Sequence, residues 1–211
     1  MNRVSKIIEL LGQKYPSAAC ELNYETPFEL LVAVILSAQC TDKRVNEVTK
    51  RLFDKYKSPQ EFASMDSEEL EKLIFSCGFY RSKAKNIIGA AKKICSDYGG
   101  EVPSDMKNLL TLSGVGRKTA NVVMAEAFDA QTAPVDTHVF RVSRRLGLSQ
   151  GKTPEAVEKD LLAEIPSDSL TKTHHLLIFH GRYTCKSQKP HCEDCPVTQL
   201  CNYYEERLKC L

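Results

Sequence analysis

Residues 109–141 read LLTLSGVGRKTANVVMAEAFDAQTAPVDTHVFR, and the rest of the chain can be placed around them. Their pattern predicts the end of one helix, a tight turn at Ser113-Gly114-Val115-Gly116, and a second helix from Arg117 and Lys118 to about Phe128. Two glycines flanking one apolar residue let the backbone reverse sharply and leave its N–H groups free to point outward. The helix that follows adds its own unpaired N–H groups and partial positive charge, so this end suits an anion such as a phosphate. Lys118, in the first turn of that helix, lies beside whatever the turn grips. Past an irregular segment containing Pro134, the carboxylate of Asp136 stands where a third helix begins. The stretch therefore raises the question whether the rest of the chain supports a phosphate-gripping hairpin with a nucleophile next to it.

Outward from this stretch, helical signals recur and strand signals do not. Thr26-Pro27-Phe28-Glu29 is an N-cap, a proline at the first helical position and a capping-box glutamate. The helix it opens is apolar nearly all round and is expected to be buried and central. Asp42 starts a helix that turns Val45, Val48, Leu52 and Phe53 inward, and Ser58-Pro59-Gln60-Glu61 repeats the capping logic. Further helices are expected over about 66–76, 81–97, 137–146, 154–164 and 169–182, with a short one from Ser104 leading into the hairpin. Gly78-Phe79-Tyr80 is a loop between helices, and one or both of its aromatics are expected to pack into the junction. No period-2 alternation is long enough for a strand, so the fold class is all-α with short connections.

Composition describes a globular chain of 211 residues, 42% hydrophobic and 27% charged, large enough for one substantial core or two small ones. The longest apolar run, Phe28–Leu36, is broken by Glu29 and is far too short to span a membrane. The N-terminus lacks a signal-peptide cleavage site, which points to a cytoplasmic protein with no membrane association. A net charge of +2 hides an uneven distribution: no acid lies between Asp105 and Glu126, between Asp136 and Glu155, or between Asp168 and Glu193. A basic C-terminal half suits a polyanionic partner, although any single lysine in it is adequately explained as solvating its helix.

Of nine cysteines, five are scattered and read as small buried residues. Cys185, Cys192, Cys195 and Cys201 instead form a C-x6-C-x2-C-x5-C cluster. Structural zinc usually takes two separate C-x2-C knuckles, whereas one knuckle flanked by single cysteines resembles the compact loops that wrap a cubane iron–sulfur cluster. Spacing alone leaves both metals open. Either would staple a small C-terminal subdomain, and Lys186 and Lys189 in its first loop would face phosphates.

Taken together, LLVAVILSAQCTD, GFYRSKAKNI, GEVP, LSGVGRKTANVV, VDTHVFRV, HGRYTC and the cysteine spacing resemble the endonuclease III family, in family order and over nearly the whole chain. The resemblance implies a DNA glycosylase with apurinic/apyrimidinic lyase activity that acts, as a monomer, on double-stranded DNA containing damaged pyrimidines or abasic sites. It implies a six-helix domain over residues 20–130, with a helix-hairpin-helix at about 108–129. A second, discontinuous domain of residues 1–19 and 131–211 would carry a [4Fe-4S] cluster on the loop 185–201, with DNA in a cleft between the two. Lys118 matches the catalytic lysine and Asp136 the catalytic aspartate. Gly114, Val115, Gly116 and Arg117 would grip the backbone, with His138, Lys186 and Lys189 as further DNA contacts. Gln39 would fill the space left by an extruded nucleotide, Asp42 would help line the lesion pocket, and Phe79 stands where the family has an aliphatic wedge. Ser113 replaces a common hairpin proline and is expected to loosen the turn slightly.

Two other functions compete. A mismatch adenine glycosylase without lyase activity is disfavoured by Lys118 and by the lack of an extra C-terminal domain. A non-catalytic DNA-binding module with structural zinc would bind DNA without cutting it. Taken singly, Lys118 is a solvated helix lysine and Asp136 an N-cap; the second role is compatible with a place in catalysis.

Overall fold

The computed structural model describes residues 2–209. In chain order the helices are α1 (Arg3–Lys14), α2 (Pro27–Ser37), α3 (Asp42–Phe53), α4 (Pro59–Ser64), α5 (Ser67–Ile74), α6 (Tyr80–Asp97), α7 (Met106–Leu109), α8 (Arg117–Phe128), α9 (Thr137–Leu146), α10 (Pro154–Glu164), α11 (Leu170–Tyr183) and α12 (Asn202–Lys209), with short 3-10 turns between some of them. Among the described residues there is no strand, and no helix is long and apolar enough to cross a membrane.

The chain divides into two compact units, one formed by Glu21–Ala130 and the other by the stretch through Cys20 together with the chain from Gln131 onward. In the first, α2 is the central helix: every residue from Phe28 to Leu36 is buried. Its C-terminal half is apolar on all faces because α8, α3 and α6 all pack against it. Leu30, Leu31 and Leu36 are fully enclosed, each contributing about 1.5–3 kcal/mol. The long helix α6 carries Ala84, Ile87, Ala91 and Ile94 as an inward stripe against α4 and α5. In the second unit, Val4, Ile7 and Leu11 of α1 join Val139, Val142 and Leu146 of α9, Val157 and Leu161 of α10, and Leu176 and Leu177 of α11 in one core.

Local capping accounts for most boundaries. Thr26 accepts the Glu29 N–H, and Ser58 and Glu61 complete a reciprocal capping box. Asp42 does start α3, as its first helical residue, with Thr41 as the cap accepting the Arg44 N–H. Two expectations need correction. The Glu29 carboxylate passes over the N-cap and accepts the Glu25 N–H at 2.6 Å instead. The short helix before the hairpin is capped by Asp105 rather than begun at Ser104, since a carboxylate that can accept from Asn108 N–H competes better for that position.

Candidate functional site

The hairpin is held from below by apolar anchors and from the side by α6. Leu109, Leu112 and Val115 are buried, while Ser113, Gly114, Gly116, Arg117 and Lys118 are exposed. Gly114 has φ +77°, and a Cβ built on it would stand 2.7 Å from Asn86 Cβ. Only glycine satisfies both the backbone sign and the space. Ser113 faces Gly89 of α6, where a Cβ would come within 2.9 Å of its Oγ. A mid-helix glycine therefore makes room for the serine that stands where proline was expected, and this pairing gives no local sequence signal.

The N–H groups divide differently from the sequence reading. Val115 N–H turns inward to Leu112 O at 3.2 Å, closing the turn rather than pointing outward. The outward donors belong to the opening of α8. Gly116 is its N-cap, with ordinary extended backbone and no side chain to cap the first turn, and the first helical bond closes only at Ala120 N–H to Gly116 O, 2.9 Å. Arg117 and Lys118 stand exposed on that same turn. The first turn of α8 thus sets backbone N–H groups that have no side-chain cap beside two exposed basic side chains, an arrangement suited to an anion such as a phosphate.

Gln39 and Phe79 belong to the same unit. Gln39 follows the C-cap of α2 and is exposed with φ +53°, and Phe79 precedes α6 with φ +46° and 68% exposure. Of the two aromatics expected at that junction, Tyr80 packs, its ring 4.9 Å from that of Phe75, and Phe79 projects.

In the other unit, Asp136 is the N-cap of α9 and its Oδ1 accepts the Val139 N–H at 2.7 Å, leaving the half-buried carboxylate a second oxygen. His138, the second residue of α9, contacts Arg141 through Nδ1 at 3.2 Å. Arg141 also donates to Gly181 O at 2.9 Å and Cys185 O at 3.1 Å, so α9, α11 and the start of the cysteine loop share one guanidinium. Gly181 permits the approach, since a Cβ there would lie 2.9 Å from His138 Cβ.

The donor set of the cysteine loop fits a multi-sulfur cluster. Burial pushes the Cys195 thiol up to about 11, and the neighbouring Cys201, Cys185 and Cys192 add to that shift. Groups suited to thiolates are aimed at them: the Val197 N–H at Cys195, the Tyr204 and Tyr203 N–H groups at Cys201, and the Arg145 guanidinium at Cys185 Sγ, 3.4 Å away. An apolar surround that opposes bare thiolates, combined with N–H donors to sulfur, is what a bound metal centre would resolve. Arg145 also donates to Lys186 O at 2.6 Å and Ser187 O at 3.0 Å, fixing the loop that exposes Lys186 and Lys189. In the sequence Arg145 is one charge among several in the acid-free stretch between Asp136 and Glu155. His180, held near pKa 4 by burial and then by Lys14, lies between Cys195 Sγ at 3.6 Å and Tyr15 Oη at 3.2 Å.

Residues 32–167 match the HhH-GPD superfamily of base excision DNA repair proteins. Over 99% of its length the chain is 50% identical to endonuclease III of Bacillus subtilis, of which it covers 96%. To endonuclease III of Escherichia coli K12 it is 43% identical, covering 98% of this chain and 99% of that one. The chain belongs to the endonuclease III family. A solved structure of a trapped endonuclease III–DNA covalent intermediate superposes with a TM-score of 0.91 at 46% identity, covering 99% of each chain. As a member of this family, the protein is an enzyme, a DNA glycosylase of base excision repair.

Proposed function

We propose that the enzyme is bifunctional, removing oxidised pyrimidines from duplex DNA and then cutting the strand 3′ to the abasic site through a lysine Schiff base. One observation carries this reading: an exposed amine, Lys118, on the same helical turn as the uncapped backbone donors of the hairpin, in a chain that superposes on a protein trapped covalently on DNA. Glycosylases reach their target by extruding the nucleotide from the stack. The hairpin donors and Arg117 hold a phosphate, Gln39 and Phe79 occupy the vacated stack, and Lys118 in its amine form attacks C1′. The bond from C1′ to the base breaks, the sugar ring opens to the iminium, and loss of a C2′ proton expels the 3′ phosphate by β-elimination. Asp136 stabilises positive charge developing on the sugar and assists the proton transfers. His138, Lys186 and Lys189 add phosphate contacts.

Cys185, Cys192, Cys195 and Cys201 would hold a [4Fe-4S] cluster, whose contribution here is a covalent cross-link that orders the loop carrying Lys186 and Lys189. The N–H donors to sulfur support that assignment.

Borohydride reduces a Schiff base to a stable amine, so incubation with an abasic duplex is expected to give a covalent adduct with the native protein and none with Lys118→Gln, which still binds DNA. Full base release and cleavage by Lys118→Gln would overturn the mechanism. A native protein that releases base but never traps would instead favour a monofunctional glycosylase.

A further inference from the structure

We infer that Lys83 is a positioning residue for nucleotide extrusion, tying the turn that carries Gln39 to the turn that carries Phe79. Lys83 is 5% exposed, on the inward face of α6. Its Nζ donates to Leu36 O at 2.8 Å and to Cys77 O at 2.6 Å. Leu36 is in the last turn of α2, three residues before Gln39, where helix carbonyls lack intrahelical partners. Cys77 ends the 3-10 turn Phe75–Cys77, two residues before Phe79. The backbone N–H of the same lysine donates to Phe79 O at 3.0 Å. One residue thus bonds three carbonyls on the two segments from which the intercalating side chains project.

What those segments hold makes the clamp necessary. Gln39 and Phe79 both have left-handed backbone, which residues with side chains adopt only where the surroundings enforce it. Both are exposed, so neither is fixed by its own burial. Lysine is also a costly choice for a buried helix face: desolvation disfavours its charge, offset in part by the neighbouring Cys40 and Cys77 sulfurs. A leucine or methionine would fill the space without that cost, but neither can donate to Leu36 O and Cys77 O at once. The residue contributes geometry that an apolar side chain cannot.

The inference rests on Gln39 and Phe79 entering the duplex, so the experiment tests both. Single-turnover base release from a duplex with one oxidised pyrimidine is compared with cleavage of a preformed abasic site, which has no base to unstack. Lys83→Met, nearly isosteric, is expected to slow base release about tenfold while changing abasic cleavage less than about twofold. It should also lower the fluorescence rise of a 2-aminopurine placed beside the lesion. In a Gln39→Ala/Phe79→Ala background, Lys83→Met should add less than about twofold to base release, because the groups it positions are gone. Equal loss on both substrates, no loss on either, or full additivity in that background would overturn the positioning role. Should Gln39→Ala/Phe79→Ala alone leave base release intact, the intercalation reading fails, and with it the inference. If Lys83→Met does not fold, Lys83→Gln, which keeps an uncharged N–H donor, is read by the same ratio.

Discussion

The hairpin offers a paired perturbation in which the same atoms are added two residues apart with opposite expected results. Gly114→Ala places a Cβ 2.7 Å from Asn86 Cβ and 3.0 Å from its Cγ, at a backbone φ of +77°. Left-handed backbone costs a residue with a side chain about 1–2 kcal/mol, and forcing Asn86 aside adds about 1–3 kcal/mol. The sum, about 2–5 kcal/mol, is a large part of a typical domain's stability. Gly116→Ala meets nothing within 4 Å, at φ −93° and ψ 178°. There the substitution should change stability by less than about 1 kcal/mol, the restriction of the unfolded chain offsetting alanine's poorer fit as the N-cap. Urea unfolding of both variants reads the difference. Binding to a duplex containing a non-cleavable abasic analogue should separate the roles further, since a methyl at Gly116 adds bulk at the N-cap of α8, where a phosphate would approach. An affinity loss of about tenfold for Gly116→Ala with intact stability is expected. A Gly114→Ala variant within about 0.5 kcal/mol of native, or a Gly116→Ala variant equally destabilised, would refute the account of the turn.

Lys186→Gln/Lys189→Gln should weaken binding to all duplexes alike and flatten the log–log salt dependence by about 1.8, two phosphate contacts' worth; titrations across salt concentrations check this. Cys201→Ser should yield protein short of iron and sulfide, measured chemically, with a lower melting temperature and a loop 185–201 newly open to protease. Colourless native protein containing zinc would remove the iron–sulfur assignment. Hydrogen bonds from Ser58, then from the Lys57 and Ser58 N–H groups, hold Glu61 below its ordinary 4.5, so its contribution is present above that value and lost as pH falls through the lowered one. Comparing urea midpoints of native protein and Glu61→Gln from neutral to acidic pH, the difference should shrink in the acid limb.

Elements governed by neighbours in sequence were legible. Asp136 before Thr137-His138-Val139 states both its cap and the amphipathic helix behind it, and Pro27, Pro59 and Pro154 mark first helical turns because proline has no N–H to lose there. The hairpin and the cysteine spacing were legible for the same reason. What escaped depends on tertiary approach. Gly89 has no local reason to be glycine until Ser113 arrives against it, and Lys83 reads as one more solvated lysine in RSKAKN until α2 and the Phe75–Cys77 turn close over it. Left-handed backbone at Gln39 and Phe79 leaves no compositional trace, since neither residue type favours it. The direction of the Val115 N–H is likewise decided by Leu112 O.

The join between the chain's two ends has a bearing on its synthesis. Arg3 bonds the carbonyls of Leu146 and Leu200 and the amide of Asn202, and Lys14 bonds the Asp194 carbonyl, so α1 is finished only by residues translated well over a hundred positions after it. At ribosomal speeds of about 5–20 residues per second, α1 must wait on the order of ten seconds or more with Val4, Ile7 and Leu11 uncovered, while the intervening unit completes itself. Nascent chains stalled once Ala130 has cleared the ribosome should therefore carry a protected middle and a cleavable head, and the head should become resistant only once the cysteine loop has emerged.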